Sequence, residues 1–495
     1  ENYTRITADA RDFWVEGVEN LGVAQRMFTD GYYQEIRSNG FSWTLGLDYD
    51  GKYIGDVLLR RDGSSLFGPE ARWANYYRVS AAYRMAEEDW WPFDAVNEFK
   101  LRFSQGTSGG RPNFSDRFET WSVSSSGTVS KSTLGNRFLK PEHTTEREFG
   151  ADMIFLDRFQ LELTYATQET KDQIIQIPQP AVTGYSNQYQ NSGVIWGETY
   201  EAALQANLVN RPNLQWSSTL VADRMRSEFT EWNRVCYIPS AGYAYRCEGL
   251  NHTQFYGESF LESPSDLPEW HAGSAGQFAV NDDGYLVAVG NGSLEDQRWG
   301  EYVTIDGIDY QWGHPILERD GDGNLVQQVI GEGFPDFTLG WQNQVRWGDF
   351  RFFSHLHASI GGEVYNRTKQ RLYQHFRHQD LDQSGVPEGQ RKTIDYYQTL
   401  YNANNITSHF VEPGGYLKLR ELSVRYTVGP DLLGTLRLDR IGTDRITLGL
   451  IGRNLFTITD YTGFDPEVGT SNFIRADYFR WPNTRALTGM IEVTF

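Results

Sequence analysis

The feature that most constrains this chain is a period-two alternation of large apolar and polar residues, repeated in segments of roughly 9 to 13 residues along most of its length. Trp43, Leu45, Leu47 and Tyr49 alternate with Thr44, Gly46 and Asp48, and Asp50-Gly51-Lys52 then makes a good hairpin turn into Tyr53–Arg61. Phe149, Ala151, Met153 and Phe155 precede a turn at Asp157-Arg158, after which Leu161, Leu163 and Tyr165 take one face. A helix does not present such a period, so the chain is read as all-β. No stretch approaches the roughly 18 apolar residues of a membrane-spanning helix, which leaves strands as the only route across a bilayer.

Alternation alone does not separate a soluble sandwich from a membrane barrel, because both have one polar and one apolar face. Connection lengths do. Tight turns of two to five residues alternate with long connections at about 105–143, 168–196, 232–334, 367–413 and 457–484, the asymmetry of an outer-membrane barrel with short periplasmic turns and long extracellular loops. Trp43, Tyr49, Trp73, Tyr83, Trp216, Trp232 and Trp347 stand near strand ends, as an interfacial girdle does. The final segment alternates Leu487, Gly489, Ile491, Val493 and Phe495 against polar residues and stops on Phe495, the form of an outer-membrane assembly signal.

Counting back gives about thirteen strands: 40–50, 52–62, 72–86, 97–108, 144–156, 159–167, 197–209, 214–231, 335–347, 349–366, 416–428, 445–456 and 485–495. Thirteen is odd, whereas single-chain bacterial barrels have even numbers, so further strands are expected from elsewhere. Residues 1–39 show no clear strand pair and read as an extracellular loop segment preceding the barrel portion 40–495. The chain opens Glu1-Asn2-Tyr3-Thr4-Arg5 without Met or a basic-then-apolar leader, so translation is expected to start upstream.

Net charge is −20, which argues against nucleic acid as a partner. Between Cys236 and Glu332 sixteen Asp/Glu face only Arg246, Arg298 and Arg319, so most of the excess sits in one predicted loop. The same loop carries Tyr243, Tyr245, Trp270, Trp299, Tyr302, Tyr310 and Trp312; aromatic rings beside carboxylates suit sugar faces and hydroxyls, and equally suit a loop packed on a partner protein. Cys236 and Cys247 are compatible with one disulfide closing a short loop, or with two unpaired thiols. Asp320, Asp322 and Asn324 place oxygens at alternate positions as calcium loops do, but Leu325 stands where the loop Gly belongs, so a β-turn is the better reading. Gly106-Thr107-Ser108-Gly109-Gly110 matches G-x-S-x-G with no helix behind it, and reads as a loop start. His355 and His357 share a face without a third ligand, as a polar wall does. No cofactor is expected beyond structural calcium in the loops, and no covalent chemistry.

Linear motifs carry a family resemblance. Arg61-Asp62-Gly63-Ser64-Ser65-Leu66-Phe67-Gly68, then Ser80-Ala81-Ala82-Tyr83-Arg84-Met85-Ala86-Glu87-Glu88, resemble a segment of SusC-like TonB-dependent transporters. Pro335–Gly340, Gly361–Asn366 and Tyr416–Tyr426 follow in the same order, and Gly452-Arg453-Asn454-Leu455-Phe456 with Gly463-Phe464-Asp465-Pro466-Glu467-Val468 is the most specific match. The resemblance implies a transmembrane antiparallel barrel of about 22 strands, of which this chain holds the C-terminal portion. It also implies an N-terminal plug and TonB-box that this chain lacks. These would come from a second chain, from an N-terminal fragment cleaved in an extracellular loop, or from a longer chain of which this is a portion. The implied partners are outer-membrane lipid, a SusD-like surface lipoprotein capping the extracellular mouth, and TonB acting through the plug. The implied activity is import of a large nutrient, a glycan or an oligopeptide. Arg84, Arg102, Gln205, Gln342 and Arg346 would then face the lumen, and the C-terminus the periplasm. The alternative is a non-transporting anchor or adhesin that presents its loops to a surface partner; a third reading, a secreted glycan-binding or hydrolytic sandwich, predicts solubility without detergent.

Overall fold

In the computed structural model every residue is described except 1, 15, 16, 18, 19, 70, 125, 239–242, 403, 404, 436, 438–441, 468, 469, 472 and 473. Strands β1 (Asn2–Phe13) and β2 (Ala24–Glu35) form a separate two-stranded hairpin. Thirteen strands then make one sheet in strict chain order: β3 (Ser38–Tyr49), β4 (Tyr53–Ser64), β5 (Trp73–Arg84), β6 (Val96–Ser108), β7 (His143–Phe155), β8 (Phe159–Lys171), β9 (Val194–Arg211), β10 (Leu214–Glu231), β11 (Phe337–Trp347), β12 (Phe350–Ile360), β13 (Tyr416–Val428), β14 (Arg445–Ile458) and β15 (Ala486–Thr494). All neighbours are antiparallel, with β3 and β15 at the edges.

The turns follow from local chemistry. Between β3 and β4, Asp50 and Gly51 both have positive φ (58° and 61°), and the Asp48 carboxylate accepts the Gly51 N–H at 2.8 Å. Two left-handed residues in succession match the twist of a hairpin, which is why Asp-Gly closes it.

Because side chains alternate, the register decides what each face looks like. One rung runs Arg102–Gly150–Thr164–Glu201–Asp223–Thr338 across β6 to β11, and the rung beside it runs Phe103–Phe149–Tyr165–Tyr200–Arg224. The same parity holds across the sheet and gives one polar and one apolar face. The apolar face has no second layer on it: Trp43, Leu45, Leu47, Leu101, Phe149, Leu163, Tyr200, Leu220 and Trp341 are all exposed. Apolar surface on that scale fits lipid far better than water. Buried clusters lie instead in the long connections at one end, around Phe255, Tyr365, Tyr396 and Phe410, around Leu286, Ile305 and Trp312, and around Ile175, Phe229 and Trp232.

The end-to-end asymmetry is present, with turns at 50–52, 156–158, 212–213 and 348–349 opposite connections 109–142, 172–193, 232–336, 361–415 and 459–485. Three readings need correction. The short-turn end also holds 85–95 and 429–444, longer than two to five residues and including the helix Pro430–Thr435. Residues 1–39 do contain a strand pair; its exposed apolar residues, Ile6, Met27, Phe28 and Tyr33, are scattered over both faces among polar ones, so no periodicity marks them. The segment 349–366 is two strands, because Gly361 and Gly362 (φ +69° and +70°) turn the chain so that Glu363–Asn366 joins a separate four-stranded sheet in the loops.

Candidate functional site

The polar face of the sheet is a wall of cross-strand charge pairs. Arg102 donates to Asp152 (2.9 Å), Glu148 (2.7 Å) and Thr164 (3.2 Å), reaching over Gly150, where a Cβ would lie 2.5 Å from the guanidinium carbon. Arg84 binds Glu98 at 2.5 Å and Glu87 at 2.8 Å. The register puts Arg84, Arg102, Gln205, Gln342 and Arg346 on this one face, together with His355 and His357. Two cavities open on it: one of about 710 Å³ beside Arg60, Arg78 and Arg111, and one of about 750 Å³ beside Arg346, Arg351 and Arg425.

The motif residues acquire distinct jobs. Arg61 lies over the Trp73 ring, 5.5 Å from its centroid, Asp62 pairs with Arg60 at 2.7 Å, and a Cβ on Gly63 would meet Trp73 at 2.8 Å. Arg453 pairs with Glu421 at 3.1 Å, and Asn454 (φ +49°) sits in a register shift between β13 and β14, a left-handed position that Asn tolerates well.

Asp465-Pro466-Glu467 is the anchor of connection 459–485. Lys418 of β13 is buried (1% exposed) and its ammonium sits 2.5 Å from Asp465 and 2.6 Å from Glu467. Arg420 forks onto both Glu467 oxygens, and the Tyr416 hydroxyl donates to Glu467 at 2.7 Å. The Asn483 N–H closes the far end of the connection onto Asp465 at 3.0 Å. Burial pushes the Glu467 carboxyl up, but the hydrogen bonds from Arg420, Lys418 and Tyr416 outweigh it and leave the group at about 2. The residues on the β13 side, Lys418 and Arg420, lay inside a motif that the sequence marked without assigning them a role; an apolar strand with cations at alternate positions was the available signal.

The long loops form their own packed block. Arg475 (8% exposed) donates to the Gly333 carbonyl at 3.2 Å and the Gly414 carbonyl at 2.6 Å, so one guanidinium ties three connections together. His409 bridges Tyr285 (2.7 Å) and Tyr373 (3.2 Å), and burial pushes it down to about 3, hence neutral. Cys236 and Cys247 are disulfide-bonded with Cα atoms 4.9 Å apart.

The loop aromatics are spent largely on this packing. Trp312 is fully buried and meets Trp299 edge-on at 5.2 Å, so in this arrangement it offers no face to a ligand. Trp299 is half-buried between Trp312, His314 and Tyr396, and Trp270 lies 3.8 Å from the His271 ring. Tyr310 hydrogen-bonds His271 at 2.7 Å, Tyr243 packs on Tyr365, and Tyr245 stacks on Tyr256 at 4.4 Å. The six do not converge on one cleft. Asp320 accepts the backbone N–H groups of Asp322 (3.0 Å) and Asn324 (2.8 Å) and the Asn324 side chain, closing a turn on itself; these bonds hold its carboxyl below the usual range. Among the described residues no group of three or more His, Cys, Asp or Glu is placed to hold a metal ion.

A single meander with one lipid-like face, one charged face and its longest loops at one end is matched by a family model, TonB dependent receptor-like β-barrel, over residues 2–439. The chain belongs to that family. TonB-dependent receptor P3 of Formosa agariphila is 26% identical over 99% of this chain and 49% of its own length. TonB-dependent receptor SusC of Bacteroides thetaiotaomicron is 20% identical over 84% of this chain and 40% of its own length. Among solved structures, the RagAB peptide transporter superposes with a TM-score of 0.74 at 18% identity, covering all of this chain and 52% of that one, which shows a shared fold. The chain spans about half the length of the curated relatives it matches. The family is one of outer-membrane barrels, and these relatives are named as receptors and a transporter component, not as enzymes.

Proposed function

We propose that this chain is the C-terminal wall and loop block of an energy-coupled outer-membrane importer for a large solute, a glycan or an oligopeptide. The observation that carries the reading is the thirteen-stranded sheet whose register gathers paired arginines and carboxylates on one face and turns a broad band of large apolar residues to the other. Completed to a closed barrel, such a wall would surround a polar path, and the reading includes a plug-bearing portion moved by TonB that gates it. The packed loop block, with its acidic surface, would meet a SusD-like lipoprotein at the extracellular mouth. Sequence likeness to SusC and fold likeness to RagAB support that partnership.

The test is uptake in whole cells. Deleting the gene should abolish accumulation of fluorescent oligosaccharides or peptides too large for porins, and a protonophore should reproduce the deletion. Uptake of both probe classes that survives deletion unchanged would overturn the reading.

A further inference from the structure

On the apolar face of the sheet the row Phe149–Tyr165–Tyr200 across β7 to β9 ends at Arg224 of β10, each residue directly opposite the next. The row beside it, toward the short turns, is Ala151–Leu163–Ala202–Ala222. Small alanines between the aromatic row on one side and Leu161, Leu204 and Leu220 on the other leave a trough of about 610 Å³, with Arg224 and Phe337 on its border. Arg224 stands ten residues beyond Leu214 at the short turn. At about 3.3 Å per residue along a strand tilted about 40°, that is a rise of roughly 25 Å, the height of an outer-membrane apolar band. The neighbouring strands change character at the same level: beyond Phe149 comes Arg147, beyond Tyr165 comes Thr167, and beyond Tyr200 comes Glu198. Arg224 is therefore at the outer rim of the hydrocarbon, directly over an apolar trough.

Arg224 is exposed and has no ion pair among the described residues. On the next rung Arg226 is taken by Asp336 at 3.0 Å, and Glu198, diagonal to Arg224, accepts from the Tyr200 hydroxyl at 3.3 Å. Arg147 is exposed as well; its Nε donates to Gln105 at 3.1 Å, and it too has no ion pair among the described residues. Three strand spacings, about 14 Å, separate Arg147 from Arg224, so the two would meet separate anionic groups.

We infer that Arg224 and the alanine trough form a binding site for a phosphate-bearing glycolipid of the outer leaflet, the lipid A portion of lipopolysaccharide, with a phosphate on Arg224 and one acyl chain in the trough. The inference rests on the reading that the long loops face outward. A cation at the rim with a hydrocarbon slot beneath it follows the order of groups in such an amphiphile. A neighbouring barrel filling the trough would give no reason for an unpaired guanidinium at its edge, and free phosphate has no use for the trough. The guanidinium fork matches two phosphate oxygens, and an arginine at the membrane interface costs only about 0–1 kcal/mol before a phosphate meets it.

The experiment uses the complete transporter, extracted from native outer membranes, stripped of lipid in detergent and titrated with lipid A while native mass spectrometry reads the bound fraction. Diphosphoryl lipid A should bind more tightly than dephosphorylated lipid A of the same acylation. Arg224→Gln should weaken the first about ten-fold, the loss of one hydrogen-bonded charge, and leave the second unchanged, while Arg224→Lys should retain most of the affinity. Ala202→Trp, which fills the trough, should weaken both. Heat-modifiable migration on gels identifies folded barrels, and only those are compared. Affinity unchanged by Arg224→Gln or by Ala202→Trp, or displacement of the lipid by equimolar inorganic phosphate, would overturn the assignment. So would disulfide-linked pairs of the Ala202→Cys transporter in native membranes, which would make the trough a contact between barrels. Uptake is measured in parallel: normal uptake by a transporter whose folded barrel binds no lipid A refutes the lipid site and leaves the importer reading standing.

Discussion

Lys418 and Asp465 face each other at 2.5 Å with both side chains buried, one on the sheet wall and the other forty-seven residues away in the last long connection. A buried pair is weak as a net source of stability, but removing one partner leaves the other charged and unpaired. Lys418→Met should therefore release connection 459–485 at a cost of roughly 3–5 kcal/mol to its anchoring, while the sheet stays assembled. Hydrogen exchange should rise across 459–485 and not across β13 and β14. Unchanged protection of the connection would contradict the anchoring role, and Lys418→Arg should preserve most of it.

Glu467 gives the same anchor a pH dependence. Its carboxyl is at about 2 in the folded protein against an ordinary 4.5, so the unfolded segment binds the proton more readily. The stabilisation is present in full above the unfolded value and is lost as pH falls from there through the folded one. That window, about 4.5 down to about 2, carries roughly 3 kcal/mol. Protease protection of 459–485 should be flat from pH 8 to about 5 and fall below it. A midpoint near neutrality would rule out Glu467 as the titrating group.

How much of this was legible beforehand depends on which force wrote it. The thirteen strands were readable because lipid and lumen impose opposite chemistry on alternate residues, and Phe149–Gly150–Ala151 carries that imprint even though Gly150 breaks the polar column. The hairpin β1–β2 was not, since its few apolar residues fall on both faces and make no alternation. The aromatic loop residues were recognised as important, but Trp312 and Trp270 look alike in sequence, and only the packing of Leu286, Ile305 and Trp312 into one cluster separates a fully buried ring from a half-buried one. The Lys418–Asp465 pair joins positions that no local pattern connects. Arg346, Arg351 and Arg425, opposite one another on adjacent strands, become neighbours through pairing and not through spacing.

Trp312 and Trp481 should behave oppositely. Trp312 has no exposed surface and lies within the loop cluster, so Trp312→Ala should cost about 3–5 kcal/mol of loop-block stability through the cavity it leaves. Trp481 is 95% exposed, so Trp481→Ala should change stability by less than about 0.5 kcal/mol. Thermal unfolding of the loop block, followed by near-ultraviolet circular dichroism, distinguishes the two. Equal shifts would mean that the loop packing is not as described.

Arg475 is the most economical place to test whether the long loops act as one body. Its guanidinium is buried without a carboxylate partner at hydrogen-bond distance among the described residues, and it holds the Gly333 and Gly414 carbonyls from two other connections. Burial lowers its proton affinity, yet a guanidinium stays charged at any physiological pH, so the two carbonyl bonds are what make the position tolerable. Arg475→Leu keeps the apolar bulk and deletes both bonds, each worth about 1.5–3 kcal/mol as a bond to a charged group, partly offset by relief of the buried charge. Exchange should then rise together at residues near 333, 414 and 475, which lie far apart in sequence. A rise confined to the segment around 475 would mean that the three connections are independent and merely adjacent.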